Sequence, residues 1–363
     1  MMDRKNTLWI HYGKDLAGMA YTLMEEARVR DTLPKTGRVV VKPNLLIADR
    51  AENGATTHPE IVEGILRYLR DADVRDILIA EGAWVGEGRS TMHAFQACGF
   101  TALAEKYGAA ILDTKTDATL TKTVRGSRYT VCKTVYEAAY LINVPVLKGH
   151  CQTKLTCAMK NMKGCIPDSE KRRFHTMGLH RPIAELSEVL YPDLTVVDSI
   201  CGDLTFEEGG NPVQTDRVLL GYDALLIDSY CARLIGYDPD EIGYLREALQ
   251  NNRGRYADDS TAVIEYGAEK RPGIPQNPGG AMRRLSRYVE EDSACSACYS
   301  ALMYALDKVR DPSVKGQIKI GQGFRGKSCT GFGVGNCTAG CSEYVPGCPP
   351  KAADIRKALE GKL

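Results

Sequence analysis

The feature that most limits how this chain can fold is a set of short apolar runs without polar alternation. RVVVKPNLL, DILIAEG and AAYLINVPVLKGH carry blocks of aliphatic residues, and Pro43 and Asn44 end the first. A strand with one wet face alternates apolar and polar residues, whereas an unbroken run fits a strand covered on both faces, as in a parallel sheet. TLWIHY and AAILDT read as further strands. Helix-like stretches lie between them: Asp15 to Arg30, Thr57 to Arg70, and around Ser90 to Tyr107. The second opens on a Thr57–Glu60 capping box. The alternation predicts βαβ units, hence an α/β fold with a mostly parallel sheet and helices on both faces.

The pattern continues with helix-like Gln152 to Lys163 and Ala184 to Leu190. Strand-like LTVVDS and DRVLLG follow, then helix-like Ala224 to Ile235, and the α/β pattern ends near residue 267. RPGIPQNPGG, residues 271–280, packs three prolines and three glycines into ten positions and reads as a linker. Beyond it the composition turns to glycine and cysteine. The expected division is an α/β pocket domain of one or two lobes at 1–270 and a small Cys/Gly-rich module at 281–363. No internal repeat is visible.

Thirteen cysteines in 363 residues constrain the chemistry. The N-terminus lacks a signal-peptide pattern, and no apolar run reaches the roughly 18 residues of a membrane span. The expected location is therefore the cytoplasm, where thiols stay reduced and clustered cysteines point to metal or redox chemistry. Six of the thirteen fall in the last 83 residues. Cys295 and Cys298 form a CxxC pair before a helical stretch, and Cys329, Cys337, Cys341 and Cys348 follow. A zinc site usually shows a second tight pair, which the later spacings do not supply. Cys348 precedes two prolines, as the last cysteine of bacterial ferredoxin-type runs precedes one. The expected metal ligands are Cys295, Cys298, Cys337 and Cys348 around one iron–sulfur cluster of the 4Fe–4S type, with Cys329 and Cys341 in reserve. Gly331, Gly333 and Gly335 would let backbone N–H groups approach its sulfides.

GQGFRGKS, residues 321–328, matches a phosphate-binding loop literally. Such a loop must open a helix, and CTGFGVGNC follows instead, so a glycine-rich wrap around the cluster is the expectation.

The net charge is +1, so any attraction for anions is local. Residues 148–181 hold eight Lys or Arg against two acids. On a helix, Thr153, Thr156, Lys160 and Lys163 share one stripe, and Leu155, Met159 and Met162 form an apolar one. Ligands of open α/β sheets bind beyond the carboxyl ends of strands. That places Lys42 and Asn44, and Lys148 and His150, at a candidate pocket. Lys154, Lys160, Asn161 and Lys163 complete its expected binding wall. A solvated basic helix face is the bland alternative. Nucleic acid is disfavoured, because no aromatics interleave with the charges. His58 reads as a helix-start residue, and His175 and His180 as general acids of unfixed geometry. Asp198 ends an apolar strand and is the best pocket acid, whereas Asp203, Glu207, Glu208 and Asp228 read as caps or turns.

VVVKPNLL, THPEIVEGIL, NVPVLKGH, LTCAMKNMKGCIP and HRPIAEL occur in the same order as in the uncharacterised iron–sulfur-centre proteins of domain of unknown function 362. DRVLLGYDALLIDSYCARLIGYDP and GNCTAG…YVPGCPP resemble that family too. The resemblance runs from about residue 38 onward and implies a cluster-binding C-terminus. It also implies Lys42, Asn44, Lys148, His150, Lys160, Asn161 and Asp198 as pocket positions. Many members carry a ferredoxin-like insertion with two CxxCxxCxxxCP runs, which this sequence lacks. The resemblance implies no reaction.

The expected function is an iron–sulfur oxidoreductase, in an anoxic host, that exchanges electrons with a small anionic substrate. Lys148, His150 and Asp198 are the expected catalytic residues, with His150 moving a proton, and a ferredoxin-like protein is the expected donor. No nucleic-acid or membrane partner is expected. The alternatives are a non-redox binding or carrier protein with a structural cluster, and an iron–sulfur lyase.

Overall fold

The computed structural model describes residues 3–83, 90–205, 210–267, 279–309 and 316–361. Strands β1 (Thr7–Tyr12), β2 (Val39–Pro43), β3 (Ile77–Glu81) and β4 (Ala110–Asp113) open the chain. A hairpin of β5 (Thr119–Val124) and β6 (Ser127–Cys132) follows, then β7 (Tyr140–Val144). A second hairpin, β8 (Lys148–His150) and β9 (Lys154–Thr156), precedes β10 (Leu194–Asp203), β11 (Pro212–Gly221) and β12 (Ala262–Gly267). Eight of these form one sheet in the order β12-β1-β11-β10-β7-β2-β3-β4. Only β11 opposes its neighbours, so the sheet is mostly parallel, as the unbroken apolar runs predict.

Side chains alternate between two cores. Val40, Leu78, Leu141 and Val197 join one apolar cluster, and Val39, Val41, Ile142 and Val196 join the other. The period of two sends successive residues to opposite faces, and helices cover both. From β2 the chain builds outward to β3 and β4, then returns to place β7 on the other side of β2. The β2–β7 boundary is thus a switch point, where open α/β sheets leave a crevice at the carboxyl ends of their strands.

Three local expectations are corrected. The capping box does not form. The helix Pro59–Asp71 is entered through His58, and the Thr57 hydroxyl donates to Val144 O and accepts from Asn44 N instead. The stretch Ser90 to Tyr107 is two helices, Thr91–Ala97 and Phe100–Tyr107, broken at Gly99. The helix expected over Gln152 to Lys163 is the end of the β8–β9 hairpin, a short helix Ala158–Asn161 and a 3₁₀ turn Met162–Cys165. The apolar stripe still points inward, because Leu155, Met159 and Met162 enter the core by either geometry.

The proposed linker lies almost wholly outside the described residues. After it, β13 (Val289–Glu291), β14 (Ile318–Ile320), β15 (Cys329–Val334) and β16 (Cys341–Val345) form a separate parallel sheet with its own apolar cluster. This module docks on the β8–β9 turn. Gln152 Nε2 donates to Glu291 Oε1 and Ala294 O, and Ser296 Oγ donates to Gln152 Oε1. Cys151 packs against the module's core. No described helix is long and apolar enough to cross a membrane.

Gly149 shows how tightly this hairpin is held. A Cβ there would meet Leu204 O at 2.3 Å, and a backbone oxygen cannot swing aside. Gly149→Ala is expected to destabilise the protein by about 1–3 kcal/mol, as overpacked cores do. Urea denaturation of both proteins checks the value.

Candidate functional site

A cavity of about 240 Å³ opens beyond the carboxyl ends of β2 and β3, where the module meets the large sheet. Asn44 to Leu46 and Glu81 to Ala83, from the ends of those strands, form its base. Thr156, Lys160, Asn161 and Lys163 form one wall. Asp228 supports this wall from behind: its carboxylate accepts from Ala158 N and Met159 N at 2.6 and 3.0 Å and so caps the short helix. Burial lifts the Asp228 carboxyl to about 7.

The opposite wall is the helix Asp168–Thr176, which presents Asp168, Lys171, Arg172 and His175. Their spacing is i, i+3, i+4, i+7, one face of a helix. That spacing is plain in the sequence and was the signal for this wall. Cys295, Ser296 and Ala297, at the start of the helix Ser296–Asp307, close the cavity from the module side.

The cavity's carboxylates are already engaged. Glu81 Oε2 accepts from Lys42 Nζ at 2.7 Å, with both side chains buried. Gly164 seals the pair, since a Cβ there would meet Glu81 Oε1 at 1.9 Å and Lys42 Nζ at 2.6 Å. Asp168 is bridged by Lys171 at 3.2 Å and Lys115 at 3.5 Å. Burial works against the charged carboxylate, but the two ammonium groups hold Asp168 below its ordinary value. Lys171 is itself shifted down, chiefly by burial, and its ammonium donates to Gly82 O at 2.7 Å. Among the described residues, the cavity walls present Lys160, Lys163, Lys171 and Arg172 beside Glu81 and Asp168.

The structure divides the residues expected here. Asn44, Lys160, Asn161 and Lys163 line the cavity. Lys42 lies beneath it in the Glu81 pair. Lys154 is turned away, bridged to Glu241 at 3.0 Å. Lys148, His150 and Asp198, expected to be catalytic, are not on the cavity wall. The chain folds Lys148 and His150 into a hairpin, where Lys148 Nζ donates to Asn44 Oδ1 and Ala55 O. His150 Nδ1 accepts from Gln152 N and Thr153 N and so shapes the turn. Asp198 Oδ2 accepts from both His58 N and His58 Nδ1 at 2.8 Å. His58 Nε2 in turn faces Cys201 Sγ at 3.8 Å, completing a buried line that sequence spacing did not reveal. Asp203 accepts from Thr205 N and Asn211 N, as a turn residue should, and Glu207 and Glu208 lie outside the described residues.

The module's six cysteines separate into two sets. Cys329 and Cys341 sit opposite each other on β15 and β16 and form a disulfide, with Cα atoms 4.4 Å apart. A reducing cytoplasm does not favour this pairing, which removes both reserve ligands. Cys295, Cys298, Cys337 and Cys348 remain as thiols. They lie within one another's electrostatic reach: burial, then Cys295, Cys348 and Cys337, pushes the Cys298 thiol up to about 12. Burial and the neighbouring sulfurs also raise Cys295, while Arg325 and Lys163 pull it down. The phosphate-loop match opens no helix. It wraps the thiols, with Gln322 Nε2 3.6 Å from Cys295 Sγ and Arg325 Nη2 3.4 Å from Cys337 Sγ.

An open, mostly parallel α/β sheet with a cation-lined cavity beside its switch point defines this class of protein. Within it, the chain belongs to the family described as Domain of unknown function (DUF362), whose model matches residues 39–233. The match begins where the sequence resemblance does and stops short of the cysteine module. The "Thylakoid-associated protein sll1697" of Synechocystis sp. is 25% identical over 233 residues, which are 61% of this chain and 70% of that protein. Among solved structures, the lactate racemase apoprotein from Thermoanaerobacterium thermosaccharolyticum is 13% identical with a TM-score of 0.41. That match covers 65% of this chain and 59% of the racemase. A Thermotoga maritima protein is also 13% identical, with a TM-score of 0.38 over 66% of this chain and 59% of its own.

Two substitutions test the buried ionic groups. Glu81→Gln leaves the Lys42 ammonium without its carboxylate and is expected to cost about 3–5 kcal/mol in urea denaturation. The second concerns His58. Burial opposes its charged form, but the Asp198 contact outweighs burial and raises the ring from 6.5 to about 11. The folded protein thus holds a proton that the unfolded chain releases above pH 6.5. The pair's contribution is complete below that pH and is lost as pH rises toward 11. The stability gap between the wild type and Asp198→Asn should therefore be wider at about pH 6 than at about pH 10.

Proposed function

We propose that this chain is a cytoplasmic iron–sulfur oxidoreductase acting on a small anionic substrate held in the cation-lined cavity. The observation that carries the reading is the position of Cys295. It belongs to the set of four thiols and also forms part of the cavity wall.

The thiol set suits a cluster of the 4Fe–4S type. Four cysteines of one module lie within one another's electrostatic reach, and Cys295 stands at the N-cap of a 12-residue helix whose N-terminal partial charge favours an anionic centre. Gln322 and Arg325 supply donors to two of the sulfurs. The CxxC pair is not followed by the second tight pair usual in a zinc site, which favours the cluster over zinc. When bound, the cluster supplies one-electron transfer.

The chain's own residues do the rest. Lys160, Lys163 and Arg172 attract and hold the anion. The Lys42–Glu81 pair and the Lys171–Asp168–Lys115 bridge fix the cavity's base and its helical wall. His175, on that wall, takes the proton-transfer role first expected of His150. Cys348 is exposed at the outer side of the thiol set and gives a ferredoxin-like donor protein its approach.

The reading predicts about four iron and four sulfide per chain after anaerobic purification, with a paramagnetic signal on reduction. Serine at Cys295, Cys298, Cys337 or Cys348 should lower the iron content, and serine at Cys329 or Cys341 should not. Zinc in place of iron, or full iron loading without Cys337 or Cys348, would overturn it.

A further inference from the structure

We infer that Cys201 is a nucleophilic thiol that reacts with a small peroxide, with His58 as its proton donor and Asp198 as the residue that positions the ring. The three side chains form a second chemical site, independent of the cavity and of the cluster cysteines.

The backbone supplies the first argument. Asp198 and Cys201 both lie on β10, three residues apart, and a regular strand would send them to opposite faces. The pairing of β10 with β11 slips between Ser199 and Cys201. Such an irregularity re-aims a side chain. Asp198 and Cys201 therefore reach the same imidazole. His58 Nδ1 donates to Asp198 Oδ2 at 2.8 Å, and His58 Nε2 faces Cys201 Sγ at 3.8 Å. Entry into the helix Pro59–Asp71 does not require the sulfur, because Asp198 Oδ2 already accepts from His58 N. The other carboxylate oxygen accepts from Ile200 N, so the acid is fixed at both ends.

The ring's charge is the second argument. Burial opposes it, but Asp198 favours it more strongly, and Cys201 adds to the rise. A charged imidazole carries a proton on both nitrogens, so Nε2 points an N–H at the sulfur. A nucleophile beside a ring that a third group orients is the arrangement that activates cysteine in enzymes. Two carbonyl oxygens also approach the sulfur, Ala51 O at 3.5 Å and Glu52 O at 3.6 Å. They would repel the oxyanion of an acyl transfer, whereas they can accept the O–H of a peroxide or of a sulfenic acid. Cys201 is 3% exposed and lies against the 3₁₀ turn Ala51–Asn53, so its oxidant must be small and uncharged.

The step balances with peroxide as the oxidant. The sulfur attacks one peroxide oxygen, an S–O bond forms and the O–O bond breaks. The sulfur gives up two electrons and becomes a sulfenic acid. The departing oxygen takes the Nε2 proton and leaves as water. The thiol proton returns to Nε2 and restores the charged ring. The new hydroxyl donates to Ala51 O or Glu52 O, the acceptors that the thiol had before.

Timed exposure of the purified full chain to hydrogen peroxide tests this. Catalase ends the reaction, the chain is denatured in dimedone, and mass spectrometry measures the sulfenic acid at each cysteine. Cys98 is the internal reference. It is 8% exposed, and its sulfur faces Asp49 O and Ile47 O rather than an imidazole. Cys201 should be oxidised about tenfold or more faster than Cys98, although it is the deeper of the two. His58→Gln, with a melting temperature near wild type, should remove that advantage. In Asp198→Asn the ring returns toward its ordinary 6.5. The Cys201-to-Cys98 rate ratio should then fall between about pH 6 and about pH 9, whereas the wild type holds it. Equal rates at the two cysteines of the wild type would overturn the assignment, whether or not the variants fold. An unchanged ratio in folded His58→Gln would remove the ring's role, and a ratio flat with pH in Asp198→Asn would remove the positioning role of Asp198.

Discussion

A chain of buried and half-buried amides at the switch point holds this site together. Lys148 Nζ donates to Asn44 Oδ1, and Asn44 Nδ2 donates to Asn161 Oδ1. Asn161 Nδ2 donates to Asn143 Oδ1, and Asn143 Nδ2 donates to Ala158 O. Each amide gives through nitrogen and accepts through oxygen, so the direction of every link fixes the next. The network joins β2, β7, the β8–β9 hairpin and the short helix bearing Lys160. Buried networks are costly when half satisfied and rigid when complete. The cavity is thus built on a base that cannot shift one residue at a time.

That network also explains where the sequence was legible and where it was not. The unbroken burial of VVVKP and YLINV follows from local pattern alone, so the sheet, its mostly parallel character and its two covering layers could be read directly. Asn44, Asn161, Lys160 and Lys163 were reachable as well, because strand ends and a run of lysines are visible in one dimension. Lys148 and His150 lie off the cavity wall for a tertiary reason. β7 stops at Val144, and the chain then folds KGH into a buried hairpin strand off the cavity wall. Buried lysines and surface lysines look alike in a sequence; only the partner, Asn44 or Glu81, tells them apart.

The cysteines carry the opposite lesson. Spacing singled out Cys295, Cys298, Cys337 and Cys348, and the fold leaves those four as the module's thiols. Spacing alone could not show that Cys295 would also face the cavity. That follows from the docking of the module on Gln152, through Glu291, Ala294 and Ser296. The loop that imitates a phosphate binder illustrates the same limit, since Gly321 and Gly323 serve close approach to Asp292 rather than the start of a helix.

The cross-strand link between Cys329 and Cys341 has a bearing on maturation. Six sulfurs crowded into one small module would offer an incoming metal many mutually exclusive ways to be gripped, most of them wrong. Tying two of them to each other across neighbouring strands leaves a sole foursome on offer. For the cluster proposed above, that bond would confer selectivity in loading from outside the ligand set.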